Sequence, residues 1–124
     1  MLIGELADAT GVPARLLRYY EEQGLLRPER TESGYREYDP SAVVRVHQIR
    51  GLLDTGLPTR IIRPILPILD RSADGLVRPA DLPQEVVDLL EEEAARLRER
   101  VARLSRDLES IEICLKAVPP RPAP

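Results

Sequence analysis

The chain has 124 residues, a length that fits one domain or one small domain plus an appendage. Hydrophobic residues make up 43% and charged residues 31%, a globular balance and not a disordered one. One Cys and one His exclude an internal disulfide, a zinc cluster and a Cys/His catalytic pair, and four Tyr without Phe or Trp exclude an aromatic-rich core. The net charge of −3 does not announce nucleic-acid binding in bulk, although every basic residue except Lys116 is Arg. No apolar run reaches the length of a membrane span, and the start lacks a basic-then-apolar signal pattern, so no membrane association and a cytoplasmic location are expected.

Residues 3–9 (IGELADA) favour a short helix with Ile3, Leu6 and Ala7 on one face. Thr10-Gly11-Val12 reads as a turn. Pro13 suits the first position of a second helix, which runs to about Gln23 with Gly24 just past its end. Two short helices around a Gly-containing turn make a helix-turn-helix pattern. By itself that pattern favours a plain helical hairpin with no ligand.

Glu32-Ser33-Gly34 marks a hairpin turn, with Gly free to take positive φ. Tyr35, Arg36 and Tyr38 fall on the returning strand, Tyr35 and Arg36 on opposite faces, giving a small wing. Asp39-Pro40 reads as an N-cap and first helical residue. The helix that follows runs to about Thr55 and turns Val43, Val46, Ile49 and Leu53 inward, with Val44 and Leu52 beside them. Gly56 ends it. Pro58 opens a fourth helix to about Leu69, and Pro64 and Pro67 predict that it is kinked or cut short. Residues 70–83, rich in Asp, Gly and Pro, read as a linker that either only connects or also covers part of the first module.

Residues 84–118 carry the cleanest periodicity. Val87, Ala94, Val101, Leu108 and Leu115 step by seven, and so do Leu90, Leu97, Leu104, Ile111 and Val118. These are the a and d positions of a coiled coil, and one such helix cannot bury its own stripe. Packing onto the chain's own first module is the alternative to a partner. The narrow, regular seam favours a homodimer through Val87, Leu90, Ala94, Leu97, Val101, Leu104, Leu108 and Ile111. In an antiparallel pair, Ala94 opposite Leu97 of the second copy brings Glu93 to Arg100 and Glu91 to Arg98. A parallel pair opposes Asp107 to Glu112, so the antiparallel arrangement is preferred. The tail at 119–124, PPRPAP in its first six letters, frays.

Taken together, IGELADATGV at 3–12, LLRYYEEQGLL at 16–26, SGYREYD at 33–39 and IRGLLDTGLPTRII at 49–62 resemble the MerR-type transcription regulators. The resemblance covers about the first 69 residues, and the long helix after them fits in kind. Pro13 and Pro58 depart from the family's usual N-cap residues, and Pro64 and Pro67 interrupt the fourth helix. The fold it implies is mainly α: a winged helix-turn-helix DNA-binding domain at 1–69, then a dimerisation helix at 84–118 in an antiparallel coiled coil. It also implies that Arg18, Tyr19, Tyr35 and Arg36 contact DNA. Arg15, three residues from Arg18 on the same helical face, joins them from its exposure, and Thr59 and Arg60 from the positive end of the fourth helix. Arg reads guanine bidentately or holds a phosphate, and a helix of about ten residues fits the major groove.

Residues 1–63 hold nine Arg and nine acidic residues, so DNA binding here requires the arginines on one face and not an excess of charge. Tyr20 and Tyr38 read as core, Arg45, Arg50 and Arg63 as ion-paired or solvated surface, and His47 as structural. No enzyme constellation is present and no cofactor is implied. The resemblance implies double-stranded promoter DNA and RNA polymerase as partners, and an effector site after the long helix. Almost nothing follows that helix here. Cys114 alone makes a poor soft-metal site, and no aromatic residue after Tyr38 can line a drug pocket, so the effector stays open. The reading is a homodimeric regulator that binds a palindromic operator and distorts it. The alternatives are an effector-independent DNA-architectural or excision-type protein, and an interaction module that has lost its DNA role.

Overall fold

The computed structural model describes residues 1–72, 74 and 78–123. The secondary structure runs α1 (Ile3–Thr10), α2 (Ala14–Glu22), β1 (Glu29–Arg30), β2 (Arg36–Glu37), α3 (Ala42–Asp54), α4 (Thr59–Arg71), one 3-10 turn (Pro79–Asp81) and α5 (Gln84–Ala117). It is mainly helical, with an N-terminal helix-turn-helix, a small wing and a long last helix. The chain divides into two compact units, Met1–Val86 and Val87–Pro124. No helix among the described residues is long and apolar enough to cross a membrane.

The helix-turn-helix is built by local chemistry. The Glu5 carboxylate accepts the Leu2 N–H at 3.0 Å and satisfies one backbone donor ahead of α1. Gly11 ends α1 with φ 72, and its N–H returns to the Ala7 carbonyl. Thr10, although buried, is satisfied: its hydroxyl donates to the Leu6 carbonyl at 2.8 Å and accepts the Val12 N–H at 3.3 Å. Pro13 is the N-cap of α2 and not its first residue, which shifts the expected start by one position.

Leu6, Leu17, Tyr20, Tyr38, Val46 and Ile49 form the centre of the core, all essentially sealed from solvent. In a module with four aromatic residues, the two buried tyrosines supply the bulk that Phe and Trp usually give. Burial raises the Tyr20 hydroxyl above its ordinary range; Arg50 opposes that shift and Asp54 adds to it.

The wing pairs Glu29 with Glu37 and Arg30 with Arg36, antiparallel. Gly34, at φ 83, closes the loop: its N–H reaches the Thr31 carbonyl, and the Thr31 N–H reaches the Tyr35 carbonyl. A third strand edge comes from the start of the chain. Leu2 bridges to Glu37, the Met1 amino group donates to the Tyr38 carbonyl at 2.7 Å, and the Tyr38 N–H donates back to Met1 at 2.6 Å. Strands this short are not stable alone, so these ties hold the wing's second strand to the core.

Three expectations are corrected. The third helix starts at Ala42 with Ser41 as N-cap, because Asp39 and Pro40 form a turn ahead of it. Asp39 accepts the Ser41 N–H at 2.9 Å, and that bond lowers its carboxyl below the usual range. Val44 is exposed and not inward; α3 buries Ala42, Val46 and Ile49, the i, i+4, i+7 row, and Val44 lies off it. Finally, α4 is not cut short. It continues through Pro64 and Pro67 to Arg71.

The buried stripe explains that continuity. An interior Pro costs about 3 kcal/mol, whereas each buried Ile or Leu returns about 1.5–3 kcal/mol. On α4, Ile61, Ile62, Ile65, Leu66 and Leu69 are buried, while both prolines lie off that row. Asp70 and Arg71 of the expected linker therefore belong to α4, and Asp70 holds Arg45 at 2.5 Å. Ala73 and Gly75–Val77 of that linker, and Pro124 of the tail, lie outside the described residues.

The second unit is the body of α5. The helix has 34 residues, about 50 Å at 1.5 Å per residue. Leu97, Val101, Leu104, Leu108, Ile111, Leu115 and Val118 stand between 47% and 64% exposed in the single chain. That is a continuous unpartnered apolar row on an otherwise charged helix.

Candidate nucleic-acid interface

The two faces of α2 divide cleanly. Leu17 and Tyr20 point into the core and fix the helix in rotation. Arg15, Arg18 and Tyr19 are exposed on the opposite face, Tyr19 at 43%. Leu16, which sequence reasoning passed over, also stands out at 38% exposure next to these polar groups. Tyr35 at the wing tip is 69% exposed.

Arg36 is placed differently from the other expected contacts. Its Nε is shielded from solvent and sits 3.0 Å from Glu21 Oε2 as an ion pair, although the N–H is not aligned for a good hydrogen bond. Glu21 belongs to the last turn of α2, so the pair crosses from the wing to that helix. The Tyr38 hydroxyl donates to the same carboxylate oxygen over a long 3.4 Å. Burial raises the Tyr38 pKa and the nearby Glu21 charge adds to it, while Arg36 pulls it back.

Thr59 is half-buried, and its hydroxyl donates to Gln23 Oε1 at 3.2 Å. Arg60, beside it, is half-buried. Arg63 donates from Nε to the Gln23 carbonyl at 2.7 Å. The three arginines expected as ion-paired or solvated surface all have internal partners. Arg45 reaches Asp70 and the Leu66 carbonyl, Arg50 the Thr10 carbonyl, and Arg63 Gln23.

Sequence reasoning therefore found the outward arginines and tyrosines but not the residues that tie the wing and α4 to α2. Glu21 takes the wing and Gln23 takes α4, both from the C-terminal end of α2. No sequence signal reveals this, because each partner lies 15 or more residues further along the chain and the pairs obey no periodicity.

Comparison with known proteins decides the family. A family model described as "MerR HTH family regulatory protein" matches residues 1–67, more than half of the chain. The chain belongs to the MerR family. Among MerR relatives, the nodulation protein NolA of Bradyrhizobium sp. (strain NC92) is 41% identical over 109 residues, covering 85% of this chain and 43% of NolA. The chain spans about half the length of the curated relatives it matches. The crystal structure of the transcription regulator PbrR691 from Ralstonia metallidurans CH34, in complex with lead(II), aligns with a TM-score of 0.73 at 26% identity, covering 99% of this chain and 91% of that one. HiNmlR, a MerR family regulator lacking the sensor domain and bound to promoter DNA, shares the fold at a TM-score of 0.51 and 23% identity, covering 93% and 86%.

Among the described residues, no group of three or more His, Cys, Asp or Glu is placed to hold a metal ion. Cys114 is a free, exposed thiol on α5. It borders a small apolar groove with Ser110, Ile111, Leu115 and Val118, which is the far end of the seam row.

Proposed function

We propose that this MerR-family chain is a sequence-specific transcription regulator that binds a palindromic promoter operator as a homodimer. The observation that carries the reading is the division of α2: Leu17 and Tyr20 lock one face into the core while Arg15, Arg18 and Tyr19 stand free on the other. Family membership supports it, and so does the fold shared with HiNmlR, which was crystallised on promoter DNA.

In this reading residues 1–69, with the last two residues of α4, form the DNA-binding domain, the rest of 70–83 links it onward and 84–118 dimerise. The helix α2 enters the major groove, where Arg15 and Arg18 read guanine edges or hold phosphates. Tyr19 gives its hydroxyl to a phosphate. Tyr35 and Arg36 meet the flanking backbone from the wing, and Thr59 and Arg60 meet it from the first turn of α4. Two copies joined antiparallel along Val87, Leu90, Ala94, Leu97, Val101, Leu104, Leu108 and Ile111 carry two recognition helices, so the operator has two-fold symmetry. Paired contacts on both half-sites then supply the energy to bend or untwist the DNA between promoter elements, which makes the promoter usable by RNA polymerase.

The test is footprinting of the purified protein on the DNA upstream of its own gene, with Arg18→Ala alongside. A protected palindrome within a promoter spacer, lost in the variant, is expected. Protection of a site remote from any promoter would favour the DNA-architectural alternative. Protection undiminished by Arg18→Ala would overturn the assignment of α2.

A further inference from the structure

An acidic side chain on a DNA-binding surface is a cost, because it repels phosphate. Glu21 is such a group. It lies on α2 three residues from Arg18, and its side chain keeps 21% of its exposure. Its carboxylate also offsets the charge of Arg36, the wing cation that the reading above places at the nucleic-acid backbone. On charge alone, the helix would bind DNA better without it.

The geometry points to a compensating role: we infer that Glu21 is a positioning residue that couples the wing to α2, so that its removal weakens DNA binding. The inference rests on the DNA-binding reading above. The wing's strands have two residues each, too few to hold a position unaided. Its ties at Met1, Leu2 and Tyr38 fasten it to the chain start and the core. Tyr38 shares its core with Leu17 and Tyr20 of α2, and the 3.0 Å approach of Arg36 to Glu21, with the Tyr38 hydroxyl on the same oxygen, adds a direct polar tie from the wing to the helix. A surface read by a helix and a wing together requires their spacing to be preset within a fraction of an ångström. A spacing already fixed in the free protein lowers the ordering cost of a two-part contact.

Charge and positioning predict opposite signs, which makes the test sharp. Operator fragments from a selection of genomic DNA on the wild-type protein serve as the probe. Affinity is measured for Glu21→Gln, Arg36→Met and the double variant, with thermal unfolding of each in the absence of DNA. Positioning predicts that Glu21→Gln binds roughly ten-fold more weakly, and that the same change has little effect once Arg36 is Met. It further predicts that hydroxyl-radical cleavage reappears at the flanking sugars under the wing while protection of guanine N7 from dimethyl sulfate in the major groove persists. A protein whose fold is merely loosened loses both regions together, and that pattern would overturn the proposal. Tighter binding by Glu21→Gln would overturn it too, since Glu21 would then act only as a counter-charge. If Glu21→Gln does not fold, Glu21→Asp, which keeps the charge and draws the carboxylate back from Arg36, must still lift the flanking protection and spare the central one, or the proposal fails. A wild-type protein that selects no DNA would sink the DNA-binding reading itself and not this coupling.

Discussion

Arg63 Nε donates to the Gln23 carbonyl at 2.7 Å, joining α4 to the end of α2 across 40 residues of chain. The same guanidinium lies against Gly24, where an added Cβ would come within 3.2 Å of Nε. Gly24 also sits at φ 73, a conformation that L side chains rarely adopt. The helix α2 therefore ends where a glycine and an arginine from another helix fit together.

Gly24→Ala is accordingly expected to destabilise the fold by about 1–2 kcal/mol, from the left-handed backbone alone. Arg63→Met removes one charged hydrogen bond at an exposed site and is expected to cost about 1 kcal/mol. Urea unfolding measures both. A neutral Gly24→Ala would show that α2 ends differently from the geometry described here.

This relationship also shows where the sequence was legible. Gly11, Gly24, Gly34 and Gly56 all take positive φ, and each was readable as punctuation because only glycine does so without strain. The exposed face of α2 followed from the three-residue spacing of Arg15 and Arg18, and the row of α5 from its seven-residue step. The prolines of α4 misled because local propensity argues against a helix there, while five buried Ile and Leu side chains override it. The strand edge at Met1–Leu2 was invisible, since two residues carry no alternation and their partners lie near Tyr38. Glu21 and Gln23 looked like ordinary solvated polar residues at the end of a helix.

Alkaline unfolding follows from the two buried tyrosines. Both Tyr20 and Tyr38 are raised from 10.0, chiefly by burial. Their folded forms hold the proton after unfolded tyrosine has released it. Their contribution is therefore fully present below pH 10 and is lost as pH rises through the folded values. The melting temperature should fall more steeply above that point, and Tyr38→Phe should reduce the slope. An unchanged slope in Tyr38→Phe would contradict the assignment.

Core and seam should respond differently to substitution. Leu17→Ala empties a fully buried site and is expected to cost about 2–5 kcal/mol. Leu104→Asp alters a 57% exposed residue of the single chain, so the Met1–Val86 unit should keep its fold. Sedimentation equilibrium should then report a dimer for the wild type and a monomer for Leu104→Asp. A wild-type monomer at micromolar concentration would contradict the seam as an interface.

If α2 lies in the major groove as proposed, Leu16 is the apolar side chain on it that can meet a base. An exposed Leu beside Arg15 and Tyr19 suits the thymine methyl, the one apolar group on the major-groove edge of a base pair. Replacing thymine by deoxyuridine in a half-site removes that methyl. The expected loss is about four-fold in affinity, from roughly 0.8 kcal/mol for one buried carbon. Leu16→Ala should bind the two operators equally. Equal binding of both by the wild type would show that Leu16 faces no thymine.

The most direct test of the account is a genome-wide selection of DNA fragments by the purified protein, run in parallel with Arg18→Ala. The account predicts one enriched motif with two-fold symmetry for the wild type, falling within promoter spacers, and its loss in the variant. No enriched motif with folded, dimeric protein, or the same motif recovered by Arg18→Ala, would contradict it.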